Sequence, residues 1–355
     1  MMMIFKALSP GRKHVKHSIV AALLVTLVGW SGNVVAQDDM VPDWMRRNLR
    51  ANLTTSRDSG AMMNLVQPFS KQVSDSVVQV FCGRRSVALG VVVAVDGYLI
   101  TKRSELTGEP ISVRFSDGRK VSAEVAGVRR SSDLALLKVD DSRELTPIEF
   151  SEESPLVGSF LISPGRAGRL IGLGVVGVQS RRIEHQGRLG VRLDENDSGP
   201  ALVRMVYPES GAEHAGVQER DRILAVNGQQ AVGRHGVIQA LRQIYPGEVV
   251  ALTIQRGDQT LDLDAVISDI GLLQESENDS KVNGPRSMRL SGFDQVIQHD
   301  TVLAPEQCGG PVLDSSGNVV GINIARAGRV VSYSLPASLV VPQVLSLLEE
   351  ARHAR

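Results

Sequence analysis

Cys308 is the residue of this chain whose type and neighbours most favour covalent chemistry. It lies in residues 306–311, where Gly309, Gly310 and Pro311 allow a sharp turn into the apolar residues that follow. A thiolate is a strong nucleophile. However, the ordinary thiol pKa of about 8.5 must be lowered by a neighbouring group, such as a histidinium, before the thiolate is populated at neutral pH. Whether Cys308 reacts therefore depends on the residues that the fold brings to it.

The elements that must position Cys308 follow the pattern of a β-rich domain. From Met62 onward, short apolar runs alternate with turn residues, which is typical of all-β proteins. Residues 87–95 predict a strand that ends in an Asp-Gly turn, and residues 98–101 predict its partner. Residues 133–139 predict a further strand.

The overall composition excludes several classes of function. The chain has 355 residues, 42% of them apolar, which is enough for two domains with ordinary cores. The formal net charge is zero and the basic residues are scattered, so nucleic acid is not an expected partner. We identify no sequence motif for a metal or a cofactor and predict neither.

Residues 1–36 have the features of a secretory signal peptide. Basic residues precede an uncharged, mainly apolar run at 18–29, and Val34 and Ala36 are suitable residues for cleavage after position 36. The alternative is an uncleaved membrane anchor, because no charged residue interrupts residues 18–37. We therefore expect a periplasmic or secreted protein, in which residues 37–60 form a polar linker.

Export also bears on the two cysteines, Cys82 and Cys308. An oxidising compartment permits a disulfide between them. Cys82 follows the apolar residues of a predicted core strand at 77–81, and this position favours a buried, inert thiol instead.

Three stretches of the sequence resemble the HtrA/Deg family of trypsin-like serine proteases. Residues 300–323 are similar to the nucleophile loop and flanking strands of that family, with Cys308 at the serine position. Residues 97–101 and 132–138 are similar to strands of its first barrel. The resemblance implies a mainly β fold with two trypsin-like six-stranded β-barrels. We place these barrels in a first part at 61–184 and a second part at 291–350.

Residues 185–270 resemble a PDZ domain. Residues 210–217 and 221–228 carry its strongest signature, and residues 237–241 have the apolar spacing of one helical face. Protease-like sequence resumes after a polar linker at 271–290, so we predict that the PDZ domain is inserted in the second barrel. By analogy with the family, the insertion falls in a loop that senses PDZ occupancy.

The resemblance also assigns catalytic positions, and three of them are altered. Asp133 stands at the triad aspartate, although a carboxylate before a strand also occurs as a simple turn residue. Ser104 stands at the histidine base, and a hydroxyl cannot act as a base near neutral pH. Glu306 stands at the glycine that donates to the oxyanion, where a side chain and a negative charge both oppose catalysis. The third alteration is Cys308 itself. His299 is the one histidine in protease-like sequence, and we do not expect it to reach the vacant position.

The PDZ-like part implies a peptide-binding groove. Backbone amides of its first loop would hold a terminal carboxylate, and apolar side chains on the helix would line the pocket. The expected residues are Arg188, Leu189, Gly190, Val191, Val237 and Leu241. The alternative is that the apolar members only form the PDZ core, and this applies above all to Leu241.

These observations predict an exported, HtrA-like pseudoprotease that binds C-terminal or unfolded segments of envelope proteins, in a quality-control or regulatory role. One alternative is an active endopeptidase that uses Cys308 with an unorthodox base. Another is a redox or scaffold protein in which Cys308 pairs with a partner's thiol. The resemblance also allows a homo-oligomer, since family members commonly form trimers.

Overall fold

The computed structural model describes residues 59–354 except 107, 109, 142, 196 and 275. The predicted signal peptide at 1–36 lies outside the described residues, as does the predicted linker apart from its last two residues. Among the described residues, no helix combines the length and the apolar character that a membrane span needs.

The described chain begins with helix α1 (Gly60–Gln72). Ser59 caps its amino end, because the Ser59 hydroxyl accepts a hydrogen bond from the Met62 N–H at 3.3 Å. The expectation of β structure from Met62 onward is therefore wrong up to residue 72. The helix packs on the second barrel, where the Gln67 side chain donates to the Gly168 carbonyl at 2.6 Å.

The first barrel is a closed sheet of six strands with the order β1-β2-β3-β6-β5-β4. Its strands are β1 (Val77–Cys82), β2 (Arg85–Ala94), β3 (Tyr98–Lys102), β4 (Ile111–Arg114), β5 (Lys120–Arg129) and β6 (Leu134–Val139). Strands β3 and β6 are antiparallel, with Lys102 opposite Leu134. This register places the residues just after β3 against those just before β6, and this is the corner where two of the predicted catalytic positions lie.

The second barrel is also closed, with the strand order β17-β20-β19-β18-β7-β8. Its strands are β7 (Phe160–Pro164), β8 (Leu170–Ile183), β17 (Phe293–His299), β18 (Pro311–Leu313), β19 (Val319–Gly328) and β20 (Val331–Pro336). Cys308 lies just before β18. Helix α6 (Ala337–His353) follows β20 and packs on β19 and on β5 of the first barrel.

The PDZ domain lies between β8 and β17, which are antiparallel neighbours in the second barrel. Its elements are β9 (Gly187–Arg188), β10 (Val191–Leu193), β11 (Ala201–Val206), α2 (Gly211–His214), β12 (Arg222–Val226), β13 (Gln229–Gln230), α3 (Gly233–Leu241), β14 (Val249–Arg256), β15 (Gln259–Val266) and β16 (Ser268–Asp269). Strands β9 and β16 pair with each other at the base of the domain. The predicted mainly β fold, with a PDZ domain inserted in the second of two barrels, is confirmed.

Two short helices follow the PDZ domain, α4 (Ile270–Leu273) and α5 (Glu277–Asn283). The segment after them has no regular structure, yet Ser287, Arg289 and Ser291 are buried. The sequence predicted a polar linker at 271–290, and within it Ser287, Arg289 and Leu290 are buried.

Candidate active site and peptide groove

Ser104 and Asp133 meet at the corner between β3 and β6. The Ser104 N–H donates to Asp133 Oδ1 at 2.9 Å, and the Ser104 hydroxyl donates to Asp133 Oδ2 at 2.8 Å. Asp133 has a φ of 58°, a left-handed conformation that aspartate tolerates better than most residues. Both carboxylate oxygens thus bind a serine, at the place where a catalytic aspartate would orient an imidazole.

Four charged side chains surround this corner: Lys102, Glu105, Asp133 and Arg289. Lys102 is fully buried and its ammonium donates to Glu105 at 2.9 Å. Burial alone would lower the pKa of Lys102, but the charges of Glu105 and Asp133 raise it above its ordinary value. Lys102 is therefore a cation and cannot serve as the missing base.

The carboxyl of Asp133 is also fully buried, and burial raises its pKa although Arg289 and Lys102 oppose the shift. Two cations and two carboxyl groups together leave the corner close to neutral. In the described part of the chain, no group of three or more His, Cys, Asp or Glu side chains is arranged to hold a metal ion.

The thiol of Cys308 is completely buried. Burial raises its pKa to about 11, and the charge of Lys102 reduces this rise only in part. The neighbours of the sulfur include the Ala304 carbonyl oxygen at 3.8 Å, the Ser287 hydroxyl at 4.0 Å and the Arg326 backbone N–H, and none of the three is a base. Cys308 is unpaired, as is the buried Cys82.

The backbone amides of Gln307 and Cys308 have acceptors within their own loop. Residues Pro305–Gln307 form a 3-10 turn, in which the Cys308 N–H donates to the Pro305 carbonyl at 3.1 Å. The Gln307 N–H donates to the Ala304 carbonyl at 2.9 Å. An oxyanion hole needs free amide donors aimed at the reacting oxygen, so this loop does not provide one in its present conformation. Glu306, at the predicted oxyanion position, is exposed.

The residues after Cys308 fix the loop to the first barrel. Leu89 donates its N–H to the Cys308 carbonyl at 2.8 Å. Gly309 has a φ of 94°, and a side chain there would overlap the Leu89 carbonyl, so the position requires glycine. The glycine expected to allow a sharp turn is thus also required by the close contact between this loop and the first barrel.

His299 lies in the interior of the second barrel. Its ring nitrogens are each 2.8 Å from a hydroxyl, Nδ1 from Thr301 and Nε2 from Ser334. Burial lowers the pKa of His299 to about 4. Both nitrogens therefore have partners, and His299 contacts neither Cys308 nor Ser104 through them.

Two family models match this chain. The trypsin-like peptidase domain matches residues 88–198, and the PDZ domain matches residues 187–267. The probable periplasmic serine endoprotease DegP-like of Rhizobium meliloti is 32% identical over 100 residues, or 28% of this chain. The periplasmic serine endoprotease DegP of Escherichia coli K12 is 28% identical over 136 residues, or 34% of this chain. Over these stretches the chain is similar to trypsin-like peptidase and PDZ domains of periplasmic serine endoproteases.

The matched stretches cover only 20% and 29% of the lengths of those two relatives. Among solved structures, the MamO protease domain of Magnetospirillum magneticum in its apo form is 19% identical to this chain. That alignment covers 76% of this chain and 96% of the other, with a TM-score of 0.38.

The peptide groove expected for a PDZ domain would lie between β10 and α3. Strand β10 ends its sheet, so its outer edge has no partner strand among the described residues. Gly190, just before β10, has a φ of 88° and packs so closely on Ser210 that a side chain would overlap it. The Gly190 N–H has no acceptor within the part of the chain that is described, as a carboxylate-binding amide requires.

The other predicted groove residues divide between surface and core. Arg188 is exposed, while Val191 and Leu241 are half-buried against the PDZ core. Leu189 and Val237 are buried members of that core. Val191 and Leu241 thus remain accessible to a ligand, and Leu189 and Val237 support the groove from behind.

A charged clamp joins the PDZ domain to the first barrel. The buried carboxylate of Glu248 accepts hydrogen bonds from Arg103 at 2.7 Å and from Arg130 through both of its oxygens. Beside it, a Cβ added to Gly247 would lie 2.9 Å from the Ser104 Cβ. The PDZ loop therefore covers the position where a catalytic imidazole would need space.

Sequence reasoning missed Glu248 and Arg289, the two charged residues that hold the modules together. Glu248 follows a Pro-Gly turn and Arg289 lies in a polar stretch, so both had the pattern of solvated residues. Their partners in the first barrel are more than a hundred positions away in the chain, and no local signal marks such pairs.

Proposed function

We propose that this chain is a catalytically degenerate, exported, HtrA-like protein that binds C-terminal or unfolded segments of envelope proteins. The observation that carries the proposal is the environment of Cys308. With a pKa of about 11, about one thiol in ten thousand is ionised at pH 7. A buried, neutral thiol without a base is a poor nucleophile.

The other parts of the site support the same proposal. Ser104 satisfies both oxygens of Asp133, so no imidazole is oriented there. The Cys308 amide is bonded within its own loop. Loss of single members of a catalytic triad typically lowers the rate by a factor of about ten thousand, and here a serine replaces the base while the Cys308 amide is not free to bind an oxyanion.

The PDZ groove supports a binding role. It combines an open strand edge, an amide without a partner at Gly190 and the half-buried Val191 and Leu241. PDZ domains bind extended C-termini in this way. The word periplasmic in the names of both relatives supports export, which agrees with the signal peptide predicted at 1–36.

The deciding experiment measures cleavage of fluorescently labelled casein by the protein and by its Cys308→Ala variant. We expect no cleavage above background by either protein, and binding of casein by both. Cleavage by the unchanged protein that disappears in Cys308→Ala would overturn the proposal and favour the active endopeptidase. Equal cleavage by both would identify a contaminating protease, which further purification must remove before the comparison is made.

A second measurement addresses the redox alternative. Non-reducing electrophoresis of freshly prepared protein should show a monomer, because the Cys308 sulfur is buried. A disulfide-linked species that is lost in Cys308→Ala would favour pairing with a partner's thiol instead. Homo-oligomer formation remains a prediction, and light scattering of the native protein measures it directly.

A further inference from the structure

The segment at 285–291 lies in the cleft beside Cys308, and its path there is longer than a connection requires. Asp269, at the end of the PDZ domain, accepts hydrogen bonds from the Ser291 hydroxyl at 2.6 Å and from the Leu290 N–H at 3.3 Å. The chain thus leaves at residue 269 and returns to the same place at 290–291. Residues 270–289 are an excursion from that point.

The excursion pairs with the edge of β19. Earlier along this edge, Asn323 pairs with the loop after Cys308. Its carbonyl accepts from the Gly309 N–H at 2.6 Å, and its N–H donates to the Gly310 carbonyl at 2.9 Å. Further along, Ser287 donates its N–H to the Arg326 carbonyl at 3.0 Å, and its hydroxyl accepts from the Arg326 N–H at 3.0 Å. The segment therefore pairs with β19 beyond the point where the nucleophile loop stops pairing with it, as an added peptide strand would.

Consecutive residues of the segment contact both walls of the cleft. The Ser287 hydroxyl is 4.0 Å from the Cys308 sulfur on the second barrel. The Met288 N–H donates to the Glu105 carboxylate of the first barrel at 3.1 Å. Ser287 is fully buried, although connecting segments normally run over the surface.

Arg289 anchors the segment. Its guanidinium is fully buried and donates to the carbonyls of Arg130, Ser131 and Gly292. It also lies between two rings, 4.1 Å from the centroid of Tyr245 in the PDZ domain and 4.6 Å from that of Phe293 in the second barrel. One side chain thus touches the first barrel, the PDZ domain and the second barrel.

We propose that residues 285–291 are an internal, autoinhibitory occupant of the peptide cleft beside Cys308, which is separate from the PDZ groove. The site takes an extended peptide with a small hydroxyl residue beside the sulfur and an arginine two positions later. The occupant in cis keeps Cys308 out of solvent. This proposal does not depend on the PDZ ligand or on the absence of catalysis.

The test follows the reaction of Cys308 with a maleimide in a Cys82→Ala background, so that a single thiol reports. In one full-length variant, residues 285–290 are replaced by glycine and serine at equal length. We expect Cys308 of this variant to react at least tenfold faster than in the parent. A synthetic peptide with the sequence of residues 283–292 should restore protection in trans, and the same peptide with Arg289→Ala should not.

Equal reaction rates in two proteins that both unfold cooperatively in urea would overturn the proposal, as would a peptide that neither binds nor protects. If the replaced variant does not fold, hydrogen exchange in the unchanged protein provides the second test. The amides of Ser287 and Met288 should then be protected to the same degree as the amides of β19. Exchange of these two amides within seconds would overturn the proposal.

Discussion

Two strand edges in the described part of the chain, those of β10 and β19, differ in occupancy. The edge of β10 in the PDZ domain has no partner strand among the described residues. The edge of β19 near Arg326 is covered by Ser287 of the same chain. The free edge lies in the same domain as the half-buried Val191 and Leu241. The covered edge lies beside the Cys308 loop, which is hydrogen-bonded to Leu89 and Asn323. The edge of β10 is therefore accessible without rearrangement, whereas the edge of β19 near Cys308 forms part of a structural joint.

The strongest test of this contrast is Arg289→Ala. The change leaves carbonyl groups at 130, 131, 291 and 292 without their donor and removes the cation beside Asp133. We expect the free energy of unfolding, measured in urea, to fall by at least about 3 kcal/mol. The exposed Arg329→Ala is the matched control and should change stability by less than about 0.5 kcal/mol. A similar small effect for both variants would mean that the covered edge is not a structural joint.

The second test changes the pH. The second barrel, which contains the covered edge of β19, also contains the buried His299. Its pKa is about 4 in the folded protein, against an ordinary value of 6.5, so the unfolded chain binds more protons between these values. Stability should therefore fall as the pH decreases from 7 to 5, by about 2 kcal/mol from this residue alone. Urea unfolding at both pH values measures the loss, and His299→Gln should show a correspondingly weaker pH dependence. An unchanged pH dependence in the variant would show that His299 is not buried in its neutral form.

The third and smallest effect concerns the free edge. Leu241→Lys places a charge in the PDZ groove, and we expect at least about a tenfold loss of affinity for a labelled peptide with an apolar, free C-terminus. Stability should change by no more than about 1 kcal/mol, since Leu241 is only half-buried. Gln239→Lys, on an exposed position of the same helix, is the control and should leave affinity unchanged. Equal affinity for the amidated peptide would show that the Gly190 amide does not bind a carboxylate.

The sequence was sufficient to predict the architecture because its signals are local. Tight turns, apolar strands and the PDZ signature each occupy a few consecutive residues, and their order along the chain fixes the insertion. The meeting of Ser104 and Asp133 follows from the same order, since β3 and β6 must pair to close the barrel.

What the sequence could not show depends on distant contacts. Helix α1 has its Ser59 cap, but the alternation around it favoured strands. The burial of Arg289 results from partners in three modules, and the internal bonding of the Cys308 amide depends on backbone angles that many sequences could adopt. Such features appear only when the whole chain is folded.

The position of the PDZ domain between β8 and β17 also constrains how the chain can fold during synthesis. All strands of the first barrel precede the PDZ domain, so that barrel can close as soon as β6 has emerged. The PDZ domain is continuous in sequence and can form next. The second barrel must wait, because the strands that pair with β7 and β8, which are β18 and β17, are made only after the PDZ domain. The pairing of β9 with β16 brings the ends of the PDZ domain together, and this shortens the loop that separates β8 from β17. Folding of the inserted domain thus lowers the entropic cost of bringing β8 and β17 together in the barrel that contains it.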